Sequence, residues 1–197
     1  MRDDHFKKLK EQQDKRDDIE TETRDQWKCL RWKIIRKILL TASNYAAVSR
    51  LRPTTSCKGT VKKVVYPKEL TTPAMQYGLK HKSDAIAALE KILKMKIEKC
   101  GLFIDSEHAF LASTPYRIIN DGEGVVEVKT SLQAKDLMVE EAIIQCKSLK
   151  TIFVHKNGEY QLSTRHHYYY QVQGQLHITQ RKYCIFALWT PKSVINV

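Results

Sequence analysis

Apolar residues recur at helical spacing near the start of the chain. They stand three or four positions apart, which predicts a helix over residues 27–40. The face of this helix consists of Trp27, Leu30, Ile34 and Ile38. The run Thr41-Ala42-Ser43 is expected to cap a second helix over 44–51, which Pro53 ends.

The strongest helical pattern lies in the middle of the chain and predicts a helix over 84–100. Ser83 stands at its N-cap, Asp84 in its first turn, and Gly101 at the position of a C-terminal stop. The apolar side chains of this segment fall on one helical face, formed by Ile86, Leu89, Leu93, Ile97 and Cys100. A helix with one such face packs against the core.

Short runs of β-branched and aromatic residues predict strands in the rest of the chain. They are expected at 101–105, 109–113, 125–129, 150–155 and 183–190. Asn120-Asp121-Gly122 and Asn157-Gly158 have the composition of turns. Further helices are predicted at 134–147 and 164–178. The mixture predicts the α/β class, and a chain of 197 residues has the size of one domain.

Charge is distributed unevenly along the chain. The net charge is +12, but residues 1–25 hold seven Lys/Arg and nine Asp/Glu, so residues 26–197 carry +14. With few large apolar side chains, residues 1–25 are expected to be a charged appendage, either an isolated helix or disordered. The domain is expected to span 26–197. Such a basic domain favours a polyanionic partner, although lysines also serve solubility alone.

The composition gives no sign of a membrane or secreted protein. No apolar run approaches the length of a membrane span, and the N-terminal residues lack the apolar core of a signal peptide. We therefore expect an intracellular protein, in the nucleus or cytoplasm. The five cysteines form no CxxC pair and are expected to be free thiols, with Cys100 and Cys184 in the core.

The predicted strand 125–129 carries an acid and a base on one face. Because side chains alternate along a strand, Glu127 and Lys129 point the same way, while Val126 and Val128 point to the opposite layer. A carboxylate there is able to bind Mg²⁺, and the ammonium is able to orient a water for attack on a phosphodiester. Taken alone, the pattern is also that of a solvated strand face.

Six sequence blocks in a fixed order extend this pattern. They are Trp32 with Arg36, Thr41-Ala42-Ser43, Tyr77-Gly78, Ser113-Thr114-Pro115, Glu127-Val128-Lys129, and the run from Tyr168 to Leu176. Together they resemble the YqaJ-like viral recombinase family, relatives of lambda exonuclease in the PD-(D/E)XK nuclease superfamily. The resemblance covers about residues 27–191. It implies a central mixed β-sheet flanked by helices, the lambda exonuclease-like (restriction-endonuclease-like) fold.

The resemblance also implies roles for individual residues. It implies metal positions at Glu127 and Val128, a catalytic lysine at Lys129, and a glutamine near the reacting region at Gln171. It implies that the 5′ phosphate of a double-stranded DNA end is held by four side chains, those of Arg36, Ser43, Thr114 and Lys129. Guanidinium, ammonium and hydroxyl groups all donate to phosphate oxygens. Ser43 also suits a plain helix cap.

Two acidic positions of the family are replaced in this chain. Tyr116 follows Pro115 where the family has Asp, and Lys82 stands where it has Glu; Arg117 replaces a usual glycine. A tyrosine is a poor Mg²⁺ ligand and an ammonium repels the ion, so the metal centre is expected to be only partly intact. Other carboxylates that are able to substitute are Asp105, Glu107, Asp121 and Glu123, each of which also suits a turn or surface position.

Three functions remain open from the sequence. The first is a DNA-end-binding protein of exonuclease ancestry in viral or mobile-element recombination and repair, with cleavage weakened or lost. The second is an active 5′-to-3′ double-stranded DNA exonuclease that uses Mg²⁺ or Mn²⁺ and a migrated carboxylate. The third is a non-catalytic interaction subunit. By resemblance to lambda exonuclease, a homo-oligomeric ring trimer is expected; the cofactor is Mg²⁺ or Mn²⁺ if the protein is active, and none otherwise.

Overall fold

The structure, a computed structural model, describes residues 2–67, 72–119 and 122–197. The helices in these ranges are α1 (Arg2–Asp14), α2 (Arg16–Glu22), α3 (Leu30–Arg36), α4 (Tyr45–Ser49), α5 (Lys58–Val65), α6 (Pro73–Leu93), α7 (Val139–Gln145) and α8 (His167–Thr179). The strands are β1 (Leu40–Thr41), β2 (Ile97–Glu98), β3 (Phe103–Ile104), β4 (Leu111–Ser113), β5 (Arg117–Ile119), β6 (Gly124–Thr130), β7 (Phe153–Lys156), β8 (Glu159–Leu162), β9 (Tyr183–Trp189) and β10 (Val194–Asn196). Short 3-10 turns cover 26–28, 42–44 and 132–134.

A mixed five-stranded sheet forms the centre of the fold, in the order β10-β9-β6-β5-β2. β6 and β9 run parallel along their whole length, from Gly124 opposite Tyr183 to Thr130 opposite Trp189. The other neighbouring pairs are antiparallel. β6 is therefore a core strand, hydrogen-bonded on both sides over its first half and on the β9 side alone beyond Val126, where β5 begins.

Helices cover both faces of this sheet. On one face, Val126 and Val128 pack with Ala187, Trp189 and the apolar side of α6. On the other face, alternate residues of β9 pack against α7 and α8. This confirms the predicted α/β class with a central mixed sheet flanked by helices, and it places Glu127 and Lys129 on the α8 face.

A smaller sheet, in the order β1-β4-β3, joins the N-terminal helices to the core. Leu9 of α1 and Ile19 of α2 are buried in a cluster with Leu102 and Ile104. Residues 1–25 were expected to be isolated or disordered; within the described part, they are helical and packed, so the expected isolation is wrong. A few apolar residues are enough to attach these helices to the core, because polar side chains add hydrogen bonds to it. Whether 26–197 is a separate domain stays a prediction.

Hydrogen bonds complete the contact between the N-terminal helices and the core. The Nε2 of Gln13 donates to the backbone oxygen of Asp105 (2.8 Å), and the N–H of Leu102 donates to the Oγ1 of Thr23 (2.8 Å). The N–H of Gly101 donates to Oε1 of Glu20 (2.8 Å). A Cβ at position 101 would lie 1.9 Å from the Glu20 carbonyl oxygen, so this close approach requires glycine.

The first predicted helices are shorter in the structure. The helix expected over 27–40 is reduced to a 3-10 turn and α3, because Leu40 leaves the helix to pair with Leu111. The helix expected over 44–51 is α4, with a 3-10 turn where the cap was predicted. Tertiary strand pairing has overridden local helical periodicity here.

The helix predicted over 84–100 begins earlier and ends earlier than its apolar pattern suggested. α6 starts after Thr72, whose hydroxyl accepts from the N–H of Met75, with Pro73 in the first turn. It ends at Lys94, which adopts φ 53°. Ile97 then pairs with Ile119 in the central sheet, so its apolar side chain serves a strand.

The remaining elements follow the prediction with shifted boundaries. The helix expected at 134–147 is α7, and the strand expected at 150–155 is β7, which pairs with β8 in a separate hairpin. Asn157 and Gly158 have positive φ (53° and 83°), as a tight hairpin turn requires. Residues 120–121 of the other predicted turn lie outside the described ranges. Sequence patterns missed the short strands β1, β5, β8 and β10.

The cysteines and the helix lengths agree with the composition. All five cysteines are free, and Cys100 is buried, whereas Cys184 is only half-buried. No helix among the described residues is both long and apolar enough to cross a membrane.

Candidate functional site

Glu127 and Lys129 form an ion pair on the α8 face of strand β6. The Nζ of Lys129 lies 2.7 Å from Oε1 of Glu127. Glu127 is buried and Lys129 is half-buried, with its ammonium 4.1 Å from the ring centre of Tyr168. Strand alternation predicted this common orientation, and the geometry agrees with it.

Helix α8 supplies two glutamines to this pair. The Nζ of Lys129 donates to Oε1 of Gln171 (3.3 Å), and the Nε2 of Gln175 donates to Oε2 of Glu127 (2.8 Å). Gln171 was predicted, whereas Gln175 was missed. Its spacing of four from Gln171 would have identified it, because residues i and i+4 share a helix face.

The two charged groups stabilise each other. Burial alone raises the pKa of the Glu127 carboxyl, but the charge and hydrogen bond of Lys129, the hydrogen bond from Gln175 and the charge of Lys82 outweigh it, and the pKa lies below its ordinary value. Burial alone lowers the pKa of Lys129, but the charge of Glu127 chiefly outweighs it and the pKa is raised. Both groups are therefore charged at neutral pH.

A cavity of about 240 Å³ opens beside this cluster, where β6 extends past the end of β5. Its lining consists of Gln26, Trp27, Trp32, Arg36, Thr41, Ala42, Ser43, Leu79, Lys82, Thr114, Tyr116, Glu127, Gln171 and Gln175. A larger cavity of about 420 Å³ between α2 and the C-terminal end of α8 contains none of the predicted site residues, so the smaller cavity is the one that bears on function.

Three of the four predicted phosphate contacts line the smaller cavity. Arg36, Ser43 and Thr114 reach it from α3, from a 3-10 turn and from the chain after β4. Lys129 is not among the lining residues, but its ammonium contacts two of them, Glu127 and Gln171. Whether the four side chains form one phosphate site stays a prediction.

Neighbouring side chains position these groups. The guanidinium of Arg36 stacks 4.1 Å from the ring centre of Trp32, whose Nε1 donates to the Oγ1 of Thr114 (3.2 Å). Ser43 lies 3.1 Å, oxygen to oxygen, from Thr41. Burial lowers the pKa of Arg36 to about 10, so the guanidinium stays charged at neutral pH. Among the described residues it has no carboxylate partner.

The two replaced acidic positions meet inside the same cavity. Lys82 reaches it from α6, and its Nζ lies 4.3 Å from the ring centre of Tyr116. Arg117 lies against the same ring, also at 4.3 Å. Burial lowers the pKa of Lys82, and the charges of Lys129, Arg117 and Arg36 add to this, while Glu127 opposes it. A lysine and a tyrosine therefore stand where the resemblance implied two carboxylates.

The residues present do not fit a metal centre. Both oxygens of Glu127 accept hydrogen bonds from protein side chains. Val128 offers only a backbone carbonyl, which points to the same side of β6 as that of Val126, beyond the end of β5. In the described ranges, no group of three or more His, Cys, Asp or Glu side chains is placed to hold a metal ion. Mg²⁺ needs several oxygen ligands in octahedral geometry, and the described lining residues add no second carboxylate to Glu127.

Two of the four substitute carboxylates considered from the sequence have other partners, and neither these two nor Glu107 lines the cavity. Asp105 accepts from the N–H groups of Glu107 and His108 in its own turn, and Glu123 pairs with Lys182 at the surface (2.6 Å). Asp121 lies outside the described residues. Within the described part, no migrated ligand joins Glu127.

Several solved structures share this fold. The structure is similar to an alkaline exonuclease, LHK-Exo, from Laribacter hongkongensis (TM-score 0.62, 19% identity, 84% of this chain and 79% of that chain). It is similar to the same enzyme in complex with dAMP (TM-score 0.59, 19% identity, 84% and 80%). It is also similar to SOX in a SOX–DNA complex (TM-score 0.57, 12% identity, 92% and 60%). At these identities the likeness shows the fold.

Sequence comparison gives the family. No significant match was found among curated proteins. The model of the YqaJ-like viral recombinase domain matches residues 31–182, which include every predicted site residue. With its fold and its Glu127-Val128-Lys129 strand, this chain belongs to the YqaJ-like viral recombinase domain family.

Proposed function

We propose that this protein binds the ends of double-stranded DNA in viral or mobile-element recombination and repair, and that its phosphodiester cleavage is weakened or lost. One observation carries the proposal. The cavity beside the Glu127–Lys129 pair is lined by Arg36, Lys82 and the hydroxyl residues Ser43 and Thr114, and Glu127, the one carboxylate among its described lining residues, is already hydrogen-bonded at both oxygens. Such a cavity suits an anion better than a divalent cation.

The charge of the chain and the comparisons support this reading. The net charge of +12 favours a polyanion, since each neutralised phosphate releases counterions. Of the similar structures, SOX is bound to DNA and LHK-Exo is bound to dAMP. By family resemblance the protein acts inside the cell, in nucleus or cytoplasm, and assembles as a homo-oligomeric ring trimer. Light scattering on the purified protein measures that assembly directly.

Binding to matched DNA ends tests the function. Fluorescence anisotropy compares one linear duplex with a 5′ phosphate and with a 5′ hydroxyl. Arg36→Ala should weaken binding to the phosphorylated end by about tenfold or more and to the hydroxyl end much less, because it removes a charge-assisted contact. Lys33→Ala, on the same helix but exposed, is the matched control and should affect both ends equally.

Equal losses for both ends in Arg36→Ala would reject the assignment of the terminal phosphate to this cavity. Absence of salt-dependent binding to any duplex would instead favour an interaction subunit. Robust Mg²⁺-dependent digestion by the unmodified protein, abolished in Glu127→Ala, would make the active exonuclease the better account.

A further inference from the structure

Lys82 is held in a defined position, unlike most surface lysines. Its ammonium stacks 4.3 Å from the ring centre of Tyr116, and Arg117 lies against the same ring. Tyr116 is itself fixed, since it is buried in the core and its N–H donates to the Val126 carbonyl (3.0 Å). A cation–π contact of this kind aims a lysine without neutralising it.

The charges around the cavity do not balance. Of the described residues that line the cavity, two are cationic, Arg36 and Lys82, and one is a carboxylate, Glu127, which is already paired with Lys129. Arg117, against the same tyrosine ring as Lys82, adds a further positive charge nearby. Repulsion among partly buried cations disfavours the empty cavity, and a bound anion relieves it. The ligand expected from the charge excess is therefore one that carries negative charge itself.

We propose that Lys82 takes over the role of a divalent cation in this cavity, with its ammonium directly contacting a phosphate of the DNA end, so that end binding requires no metal ion. This inference rests on the proposed function. In a metal-dependent site, carboxylates bind the cation and the cation binds phosphate. Here the cation is the ammonium of Lys82, which is covalently part of α6, and the ring of Tyr116, rather than a carboxylate, holds it in position. An ammonium donates up to three hydrogen bonds and serves phosphate as a point charge.

If Lys82 replaces the metal ion, Glu127 is not needed as a metal ligand, and its hydrogen bonds to protein side chains are accounted for. Each of its oxygens accepts a hydrogen bond, one from Lys129 and one from Gln175, so it serves as a buried counter-charge that favours the protonated form of Lys129 and Lys82. The hydroxyls of Ser43 and Thr114 and the guanidinium of Arg36 line the same cavity as Lys82. One tetrahedral phosphate, with several acceptor oxygens, is able to use donors from all of these directions.

The test is the metal dependence of end binding by the full chain. Anisotropy of a 5′-phosphorylated duplex is measured in EDTA and in Mg²⁺ at matched ionic strength. The unmodified protein should bind within about twofold in both buffers, since no contact passes through a metal. Lys82→Met, which removes the charge and keeps the apolar stem, should weaken binding in EDTA by about tenfold or more.

Two variants make the test specific. Lys80→Met, on the same helix, exposed and outside the cavity lining, should leave the affinity within about twofold of the original. Lys82→Glu should bind weakly in EDTA and recover in Mg²⁺, because a second carboxylate then stands beside Glu127. Circular dichroism verifies folding; Lys82→Gln replaces Lys82→Met if the latter unfolds.

The failures of the two proposals are distinguishable. If the unmodified protein prefers phosphorylated ends but gains tenfold or more affinity from Mg²⁺, the role of Lys82 is overturned and end binding stands. The role of Lys82 is also overturned if Lys82→Met folds and binds the duplex in EDTA as tightly as the unmodified protein. If no preference for phosphorylated ends exists in either buffer, the proposed function itself fails.

Discussion

The amide of Gln175 donates to Oε2 of Glu127 at 2.8 Å, while Lys129 contacts Oε1 of the same carboxylate at 2.7 Å. Helix α8 and strand β6 are thereby joined at a buried charge. A carboxylate with a donor on each oxygen is stable without a metal ion. The stability of the fold and the chemistry of the cavity therefore depend on the same three side chains.

Replacing Gln175 by leucine should destabilise the protein. Leucine has a similar size but no hydrogen-bond donor, so the change leaves a buried carboxylate oxygen without its donor, which costs about 1–3 kcal/mol of unfolding free energy. Guanidinium denaturation followed by circular dichroism measures the loss. Gln173→Leu, exposed on the same helix, is the control; equal effects of the two changes would contradict a structural role for the Gln175 contact.

The contribution of Glu127 to stability should disappear in acid. Its pKa in the folded protein is lower than its ordinary value of 4.5, so the folded state holds fewer protons than the unfolded state. The stabilisation is complete above the unfolded pKa and is lost as the pH falls through the folded pKa. Urea denaturation at a series of pH values should show the difference between the unmodified protein and Glu127→Gln shrinking below about pH 4.5. A difference independent of pH would exclude the ion pair as its source.

Cleavage by the unmodified protein should be far slower than by a relative with intact acids. Tyr116→Asp combined with Lys82→Glu replaces a neutral ring and a cation by two carboxylates beside Glu127, which should allow metal binding and revive digestion of a linear duplex in Mg²⁺. Because Arg117 is able to pair with the new aspartate, Arg117→Gly is added for full recovery.

The control for revived cleavage is Glu127→Ala in the triple variant, which should abolish digestion. Isothermal titration with Mg²⁺ reports metal binding independently of activity. A triple variant that binds Mg²⁺ no better than the unmodified protein would show that these two acids are not what a metal centre in this cavity lacks.

The N-terminal helices should contribute to global stability. Thr23→Val keeps the side-chain shape but removes the acceptor of the Leu102 N–H, which is expected to lower the unfolding free energy by about 1–3 kcal/mol. Thr21→Val, at an exposed position of the same helix, should change it by less than about 0.5 kcal/mol. Thermal denaturation of the two variants measures the difference. A Thr23→Val variant as stable as the original would contradict a contribution of this contact to the stability of the fold.

Local patterns in the sequence were sufficient for the central strand and its acid–base pair. Alternation along β6 determines that Glu127 and Lys129 share a face, because strand geometry is fixed by the backbone. The ordered blocks identified the family and with it the fold. That Lys82 and Tyr116 replace acidic residues of the family stays a prediction from the resemblance.

Those patterns did not predict the boundaries of the helices and strands or the contacts between residues far apart in the sequence. The apolar Ile97 suits a helix face and a buried strand equally, and only pairing with Ile119 makes it a strand residue. The polar surface of α2 gave no sign of packing, because its attachment depends on hydrogen bonds such as that between Thr23 and Leu102, 79 residues apart.

The sequence by itself determined the fold class, the family and the common face of the acid and base on β6. Only the tertiary structure decided that Gln175 donates to Glu127 from 48 residues away and that Lys82 stacks on Tyr116. The reason is physical: periodicity reports which side of its own element a side chain occupies, whereas a hydrogen bond or cation–π contact requires two elements to be packed at one distance and angle.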